Sequence, residues 1–323
     1  MISVVIPLYN RVQVIEQTVK SVLSQTFDAF EVIIVNDGSS DNSLNVVRDK
    51  FTDSRIRIIN QENQGVSVAR NRGVKESKYE YIAFLDADDE WDSGFLEKVV
   101  EAIGKIPDAA IYGTSSLHTD YVTKEFVDGT IEEYRNKILK VDCFQNIHSL
   151  PHTSAIVVKK DALFKIDKDL DVFPIGMKMH QDWACFFRLA LIEDVVYVGT
   201  PLGIRYNNVA GQVTGLSFSQ RKDIFPSIIR YYNLVSDFYI SNNCYNKYFW
   251  TFLRYKLRGV IKTLLRNDLH DTIQLFCDKL NKGILNQFEI NLYENRKKKK
   301  VSILFININK VYLRLTNFGF KKV

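Results

Sequence analysis

The first hundred residues alternate between two patterns of apolar positions. Four short, nearly continuous apolar runs are rich in Val and Ile, which is typical of strands buried in a parallel sheet. These runs are Ile2–Pro7, Phe30–Val35, Ile56–Ile59 and Tyr81–Leu85. The segments between them carry apolar residues at the three- and four-residue spacing of helices. This alternation predicts a doubly wound α/β domain.

Beyond the first hundred residues the pattern is mixed and then becomes helical. Short strands and a helix that begins near Asp182 are predicted up to about residue 205, and helical spacing dominates from about residue 219. We therefore predict an α/β domain over residues 1–215 and a mainly helical region over residues 216–323. Doubly wound sheets bind ligands beyond the carboxyl ends of their strands, so functional residues are expected there.

The first two predicted strands end in polar segments. The first ends in PLYN, where Pro7 stops the strand and Asn10 is placed to cap the next helix. The second ends in VNDGSSD, where Asp41 is placed to cap a helix. Asp37 at the strand end is placed to accept a hydrogen bond from a nucleotide base or ribose, but an Asx turn explains this residue equally well.

The segment Gly65–Gly73, GVSVARNRG, predicts a helix that begins at a glycine and carries Arg70 and Arg72. A guanidinium at such a place suits a diphosphate group. An exposed basic helix face would produce the same pattern.

The segment FLDADDEW carries the most chemical information. An apolar strand delivers Asp86 and Asp88 to its end. On an extended segment these carboxylates would point the same way, about 7 Å apart. Their repulsion destabilises the protein unless a cation compensates, and Mg²⁺ or Mn²⁺ prefers such oxygen ligands. The alternative is a solvated acidic loop before the next helix.

Three other enzyme classes fit the sequence poorly. Haloacid-dehalogenase-type phosphatases place a similar acidic pair after the first strand and follow it with Thr or Val, whereas Glu90 stands here and the pair follows the fourth strand. No GxGxxG segment of a dehydrogenase follows a strand. A nucleotidyltransferase would need a glycine-rich loop after the first strand, and LYNRVQ has no glycine.

Together, SVVIPLYN, VNDGSSD, GVSVARNRG and FLDADDEW resemble the family 2 glycosyltransferases of bacterial surface-polysaccharide type, in the same order and at the usual spacing. The resemblance covers about residues 1–210. It implies a GT-A fold, which is a Rossmann-like fold of nucleotide-diphospho-sugar transferases. It also implies a Mn²⁺ or Mg²⁺ ion held by Asp86 and Asp88, with Asp88 the more direct ligand. The implied donor-binding residues are Pro7, Tyr9, Asn10, Asp37, Arg70, Asp86, Ala87 and Asp88.

The same family carries an acidic pair at the start of a later helix. In MHQDWACFFRLA, Asp182 matches its second position, while Gln181 replaces the usual Glu. Inversion at a sugar carbon needs one base to take the acceptor proton, and the resemblance assigns this role to Asp182. A capping role for Asp182 is compatible with catalysis. The glutamine leaves open a second hypothesis, a nucleotide-sugar-binding module of a polysaccharide complex that does not catalyse transfer.

Two further segments follow from the resemblance. GIRYNNVAGQVTG is similar to the segment that covers the pyrophosphate, and Arg205 matches its arginine, while Asn207 and Asn208 stand where a histidine is common. A histidine ligand of the metal is therefore not supported at this point, and His180 is an alternative neighbour. His152, Ser154 and Trp183 are expected on the acceptor side.

Composition narrows the setting of the protein. The 323 residues are 46% hydrophobic and 25% charged, which is ordinary for a globular protein. Four separated cysteines form no CxxC pair, which favours a reducing compartment over a disulfide framework. The N-terminus is predicted to be a core strand and not a signal peptide, and no apolar run is long enough to predict a membrane span.

Charge divides the chain into two unlike parts. Residues 1–215 hold 23 Lys and Arg against 31 Asp and Glu, and the remaining residues hold 20 against 7. The basic second part, which includes Arg254, Lys256 and Lys297–Lys300, is typical of attachment to an anionic membrane face or of a helical subdomain with a basic surface. No nucleic-acid module is apparent.

These observations predict an inverting, metal-dependent hexosyltransferase or N-acetylhexosaminyltransferase. The expected donor is a UDP-sugar, and the expected acceptor is a glycan or a lipid-linked glycan of a capsule, O-antigen or similar surface polysaccharide. The protein is expected in the cytoplasm, peripheral to the inner face of the cell membrane.

Overall fold

A computed structural model describes residues 1–146, 148–207, 209, 212, 224–266, 270–281 and 284. The strands are β1 Ile2–Leu8, β2 Phe30–Asp37, β3 Ile56–Gln61, β4 Tyr81–Phe84, β5 Glu90–Trp91, β6 Ile111–Asp120, β7 Phe126–Asp128, β8 Ile138–Val141, β9 Ile156–Lys159 and β10 Val195–Asn207. The helices are α1 Ile15–Leu23, α2 Ser43–Lys50, α3 Val66–Glu76, α4 Phe95–Lys105, α5 Lys160–Leu163, α6 Gln181–Ala190, α7 Phe225–Ser241, α8 Phe249–Arg266 and α9 His270–Lys279.

Several sequence-based expectations fall outside the described residues. They are the positions of Asn208, of the loop 213–215 and of the basic residues 296–300. Within the described helices, no segment is both long and apolar enough to cross a membrane.

One mixed sheet forms the centre of the molecule, in the order β3-β2-β1-β4-β9-β6-β10-β5. The first four predicted strands are parallel neighbours, because a helix returns the chain to the same edge after each strand. Strand β9 runs antiparallel to both β4 and β6. It therefore brings the residues that precede it to the edge where β4 ends.

Apolar residues cover both faces of the sheet, as the continuous apolar strands predict. Helices α1 and α4 contribute to the core on one face, while α3 and α6 contribute to the core on the other. Helix α3 approaches the sheet closely at Gly73, where a Cβ atom would lie 2.2 Å from Cγ1 of Val5. Only glycine permits this approach, which fixes the height of α3 above β1.

The helical region packs on the α/β domain through a separate aromatic core. Phe144 and Phe187 belong to the domain and lie in one buried cluster with Phe249 and Phe252 of α8. The rings of Phe144 and Phe252 are 5.3 Å apart in an edge-to-face arrangement. Burial of such rings stabilises the contact, so α7 and α8 are held beside α6.

Neither residue predicted to cap the first two helices occupies the capping position. Asn10 does not cap α1, which begins at Ile15 with Val14 at the capping position. Instead, Asn10 Oδ1 accepts a hydrogen bond of 2.8 Å from the backbone N–H of Ser40. Asp41 does not occupy the capping position of α2 either, because Asn42 holds it. Asp41 lies one residue earlier, and its Oδ1 accepts from the N–H of Ser43 at 2.9 Å.

Candidate active site

The acidic segment after β4 is a turn and not an extended strand. The backbone N–H of Asp89 donates to the carbonyl of Asp86 at 3.0 Å, so residues 86–89 turn back toward β5. The expected extended conformation, with Asp86 and Asp88 about 7 Å apart along a strand, is therefore wrong. Within this acidic turn, Ala87 is buried and its carbonyl accepts from Thr18 Oγ1 at 3.1 Å. Packing of Ala87 anchors the turn and leaves the carboxylates of its neighbours at the sheet edge.

Arg70 of α3 forms an ion pair with Asp86. Arg70 is only 3% exposed, and its Nε and Nη1 atoms are buried without a hydrogen-bond partner. Burial alone would raise the pKa of the Asp86 carboxyl, but the charge of Arg70 holds this pKa below its ordinary value. Burial would likewise lower the pKa of Arg70, which the charges of Asp86 and Asp182 raise instead. Arg70 therefore lies between the acidic turn and Asp182.

Asp88 is 9% exposed and carries negative charge that its surroundings compensate only in part. Its Oδ2 accepts from Arg11 Nε at 3.2 Å and from Gln212 Nε2 at 3.1 Å. Burial and the nearby charge of Asp86 nevertheless raise the pKa of Asp88 above its ordinary value. A further cation at this point would stabilise the ionised pair.

The donor set of the acidic turn fits a hard divalent cation. Asp86 and Asp88 offer carboxylate oxygens, which Mg²⁺ and Mn²⁺ prefer. Among the described residues, no group of three or more His, Cys, Asp or Glu side chains is placed to hold a metal ion. An ion bound by these two carboxylates would need further ligands, and substrate phosphates and water commonly supply them.

Asp89 is a buried carboxylate of the acidic turn that the sequence analysis did not single out. Its carboxylate accepts from the N–H of Tyr206 at 3.0 Å and from the hydroxyl of Ser154. Burial, followed by the charges of its two acidic neighbours, raises the pKa of Asp89 well above its ordinary value. Asp89 thereby joins the acidic turn to β10. In the sequence, the feature that draws attention to Asp89 is its place as the third carboxylate of the segment DADD.

Ser154 is fully buried and forms hydrogen bonds with the acidic turn. Its Oγ accepts from the N–H of Asp86 at 3.1 Å and donates to Asp89. Its carbonyl accepts from the indole N–H of Trp91. Because these groups are all engaged, Ser154 is better described as part of the scaffold than as an acceptor contact.

The expected nucleotide side lies where β1 and β2 end. Asp37 is buried, and its carboxylate accepts from the N–H groups of Gln64 and Gly65 at 3.0 Å and 2.9 Å. These bonds hold the loop that precedes α3, the helix that carries Arg70. The expectation that Pro7 stops the first strand is wrong, because Pro7 lies within β1 opposite Val35 of β2 and the pairing continues to Leu8. Next to it, Tyr9 is 45% exposed and offers a ring surface at the sheet edge.

Arg205 of β10 forms no hydrogen bond or ion pair with any described residue. His152 lies near it. Burial, and then the charge of Arg205, lowers the pKa of His152 to about 3, so this imidazole is neutral at neutral pH. His152 Nδ1 accepts from the N–H of Ser154 at 3.2 Å, which leaves Nε2 as the protonated nitrogen. This Nε2 is buried without a partner, so a donor N–H and a free guanidinium lie close together.

Asp182 lies in the first turn of α6, where His180 occupies the capping position with a φ of 63°. Its Oδ1 accepts from the N–H of Trp183 at 2.9 Å, and its Oδ2 accepts from the hydroxyl of Thr153 at 2.8 Å. These two bonds fix the carboxylate while leaving lone pairs on both oxygens. Thr153 has no sequence signal of its own. Gln181 has a buried Oε1 without a hydrogen-bond partner.

Aromatic rings from two parts of the chain surround the start of α6. The ring of His180 stacks on Trp183 with centroids 4.7 Å apart. Tyr231 of α7 meets the His180 ring edge-on at 5.3 Å, and Lys256 of α8 lies over Trp183. We call His180, Trp183, Tyr231 and Lys256 the aromatic wall. The helical region thus contributes directly to the surroundings of Asp182.

The sheet order and the strand-end carboxylates define a GT-A type of transferase fold. A family model described as glycosyl transferase family 2 matches residues 3–167, which is just over half of the chain. The chain therefore belongs to glycosyl transferase family 2. The matched region contains the acidic turn, Arg70 and Thr153, whereas Asp182 and the aromatic wall lie beyond it.

Curated relatives are similar over a shorter stretch. The uncharacterized glycosyltransferase EpsJ of Bacillus subtilis is 40% identical over 102 residues, which are 31% of this chain and 30% of EpsJ. The putative teichuronic acid biosynthesis glycosyltransferase TuaG of the same species is 41% identical over 103 residues, 31% of this chain and 41% of TuaG. The chain thus covers less than half of either relative's length.

The fold is also similar to that of TarS from S. aureus. The structure of TarS residues 1–349 superimposes with a TM-score of 0.65 at 15% identity, and covers 86% of this chain and 80% of that one. The same TarS segment in complex with UDP-GlcNAc gives a TM-score of 0.59 at 16% identity. At these identities the likeness establishes the fold alone.

Proposed function

We propose that this protein is an inverting, metal-dependent glycosyltransferase that moves a sugar from a UDP-sugar to a glycan acceptor in surface polysaccharide synthesis. The observation that carries this proposal is the shared position of Arg70. It pairs with Asp86 of the acidic turn, and the charge of Asp182 acts on it as well. The guanidinium of Arg70 therefore interacts with two carboxylates: Asp86, which is suited to donor binding, and Asp182, which is suited to proton transfer.

The choice of a UDP-sugar has support from a fold neighbour. TarS was solved with UDP-GlcNAc and with UDP. In this chain the candidate site offers the exposed ring of Tyr9, the fixed loop around Asp37 and two guanidinium groups, Arg70 and Arg205. Cations without full hydrogen-bond partners suit a diphosphate. The name of TuaG, which refers to teichuronic acid biosynthesis, supports a polysaccharide role.

The proposed chemistry is a direct displacement at the anomeric carbon. The acceptor hydroxyl oxygen forms a bond to that carbon, the bond from the carbon to the diphosphate oxygen breaks, and UDP leaves with the electron pair. Asp182 takes the hydroxyl proton on one of its oxygens, which Thr153 and the Trp183 N–H hold in place. Arg205 is placed to stabilise negative charge on the leaving diphosphate.

A divalent ion held by Asp86 and Asp88 would supply neutralisation of the diphosphate charge. Within the protein, Arg11 and Gln212 orient Asp88, and Arg70 orients Asp86. These contacts limit the motion of both carboxylates. The residues of the acidic turn are therefore arranged to bind and orient the donor.

Gln181 supports a second proposal, a nucleotide-sugar-binding module that does not catalyse transfer. An amide cannot act as a base, and the Gln181 carbonyl is buried without a partner. Asp182 remains available beside it, with a fixed carboxylate. This arrangement favours the catalytic proposal, and transfer assays separate the two.

The proposed function also includes attachment of the protein to an anionic membrane face. It is supported by the surplus of basic residues in 216–323. Described basic residues such as Arg254 and Arg258 belong to α8, which packs beside the aromatic wall. Such an arrangement would place the acceptor side of the site near a lipid-linked glycan.

The test is a panel of UDP-sugars assayed for hydrolysis and for transfer, with Mn²⁺, with Mg²⁺ and with a chelator. We expect one donor to be turned over only with metal present. Asp88→Asn should lower the metal-dependent donor affinity by about 10-fold or more, because a charged ligand of the cation is lost. Isothermal titration with UDP and metal measures this affinity.

Asp92→Asn is the matched control, because Asp92 is an exposed residue directly after β5. Among the described residues, its carboxylate accepts a hydrogen bond from the N–H of Gly94 alone. It should bind donor like the wild type. Equal turnover in chelator, or equal donor affinity in Asp88→Asn, would refute a metal role for the acidic turn. Donor binding without any turnover would favour the binding module.

A further inference from the structure

Lys256 is a cation of the helical region that reaches the start of α6. Its Nζ lies 4.6 Å from the centroid of the Trp183 ring and 5.8 Å from that of Phe252. Trp183 directly follows Asp182 in the first turn of α6. The ammonium therefore lies over the ring of the residue that follows the candidate base, although 74 positions separate Asp182 from Lys256 in the sequence.

The charge of Lys256 has no counter-charge among the described residues. Its ammonium lies over aromatic rings, and no described Asp or Glu forms an ion pair with it. Burial lowers the pKa of this ammonium below its ordinary value. A desolvated cation without an anion costs free energy, and the attraction of two rings offsets only part of that cost.

Two further polar groups of the aromatic wall are also unsatisfied. His180 Nδ1 and the hydroxyl of Tyr231 are buried without a hydrogen-bond partner. Tyr231 is fully buried, and its ring contacts both His180 and Trp183. Buried polar atoms without partners are rare in folded proteins. Here two of them lie in the same small cluster as an uncompensated ammonium.

We propose that the aromatic wall is an acceptor subsite that binds an anionic group, a phosphate or a carboxylate of the acceptor, through Lys256. This inference rests on the proposed function, because it places the anion beside the base that activates the acceptor. The ammonium supplies the charge, and the hydroxyl of Tyr231 is a neutral donor in the same cluster.

The subsite can be observed directly through Trp183. The chain has three tryptophans, Trp91, Trp183 and Trp250, so 5-fluorotryptophan labelling of the full protein gives three ¹⁹F resonances. A Trp183→Phe variant assigns the resonance of interest. The probes are glycerol 3-phosphate for the phosphate and glucuronate for the carboxylate, with glycerol and methyl glucoside as neutral controls. Saturating UDP and Mg²⁺ keep the probes out of the donor site.

We expect at least one anionic probe to shift the Trp183 resonance in a saturable manner, while the neutral compounds do not. The probe that shifts it more strongly identifies the anion. Lys256→Met keeps the aliphatic stem and should weaken probe binding by about 10-fold or more, whereas Lys256→Arg should retain it. Unchanged resonances of Trp91 and Trp250 verify that both variants are folded.

Equal responses to charged and neutral probes, or an unaltered anion response in Lys256→Met, would overturn the subsite. Failure of the proposed function is distinguishable in the same sample. If UDP and Mg²⁺ do not bind but the anion response persists, the donor site is refuted, and with it the assignment of the anion to an acceptor. If UDP binds and no anion shifts Trp183, only the subsite is refuted.

Discussion

The acidic turn, through Arg70, and the aromatic wall, through His180, both experience the charge of Asp182, and they carry opposite charge. In the acidic turn, burial and neighbouring carboxylates raise the pKa of Asp88, despite its contact with Arg11. In the aromatic wall, burial lowers the pKa of Lys256. Each side thus holds a charge that the protein neutralises only in part. The acidic turn thus has excess negative charge and the aromatic wall has excess positive charge. This is expected of a donor side that binds a further cation and of an acceptor side that binds an anion.

The short 3₁₀ turn Thr153–Ala155 contacts both Asp182 and the acidic turn. Its first two residues, Thr153 and Ser154, bind different partners. Thr153 holds Asp182, whereas Ser154 holds Asp86 and Asp89. One tripeptide therefore sets the distance between the base candidate and the acidic turn, and it offers matched substitutions for testing them separately.

The largest effect is expected from Asp182→Asn, which removes the base and keeps the shape of the side chain. Sugar transfer should fall by about 10²- to 10⁴-fold, because general base catalysis contributes that much. The affinity for UDP and metal, measured by titration calorimetry, should stay within about 2-fold of the wild-type value, since uniform binding is not affected.

Asp169→Asn, at an exposed carboxylate, serves as the control for this substitution. It should transfer sugar at the wild-type rate. Wild-type transfer by Asp182→Asn would eliminate Asp182 as the base and break the assignment of the acceptor side.

A medium effect is expected from a matched pair in the 3₁₀ turn. Thr153→Val leaves Asp182 Oδ2 without its hydroxyl donor, so transfer should fall by about 10-fold while metal-dependent donor binding is kept. Ser154→Ala removes two buried hydrogen bonds of the acidic turn, so donor binding should weaken and the free energy of unfolding should drop by about 1–3 kcal/mol. Parallel calorimetry, kinetics and denaturant unfolding give the two profiles.

Identical profiles for the two variants would show that the turn acts as one unit. The division between a donor side and an acceptor side would then be lost. Opposite profiles, with Thr153→Val affecting donor binding alone, would reverse the assignment of the two sides.

The smallest effect is expected from His152, which lies between the two sides. Its pKa is about 3 in the folded protein and about 6.5 in an unfolded chain, so the unfolded state binds one more proton within this window. Stability should therefore fall as pH drops below about 6.5, by at most about 1.4 kcal/mol per pH unit from this group. His180, with a pKa lowered to about 4, adds to the same slope.

His152→Asn keeps an acceptor near the N–H of Ser154 and removes the titration. Urea unfolding between pH 8 and pH 4 should then show a flatter loss of stability than in the wild type. At pH 8 the two proteins differ only by a constant offset, which serves as the internal reference. Parallel curves would mean that His152 is already accessible to protons in the folded state.

The strands that deliver the donor side could be predicted from the sequence alone. Apolar runs such as Phe30–Val35 fall within the observed strand Phe30–Asp37, because burial on both faces leaves a local signal. The prediction was wrong at the acidic segment, which is a turn. The hydrogen bond from Asp89 to Asp86 and the contact of Ala87 with Thr18 determine that conformation, and neither is visible in the pattern of apolar residues.

The partners of the candidate site residues could not be predicted from the sequence. Arg11 and Gln212 reach Asp88 from 77 and 124 positions away. Thr153 reaches Asp182 from a different element, and Asn10 contacts the loop after β2 instead of α1. These contacts depend on which strand ends meet at one edge of the sheet, and no local spacing encodes that choice.

The sequence by itself determined the class of fold, the family and the identity of the strand-end carboxylates, because apolar periodicity and short motifs are local properties of the chain. Only the tertiary structure decided what faces Asp182. Packing of the aromatic core brings α8 against α6 and places Lys256 over Trp183. That juxtaposition follows from burial of rings far apart in sequence, so it exists only once the chain has folded.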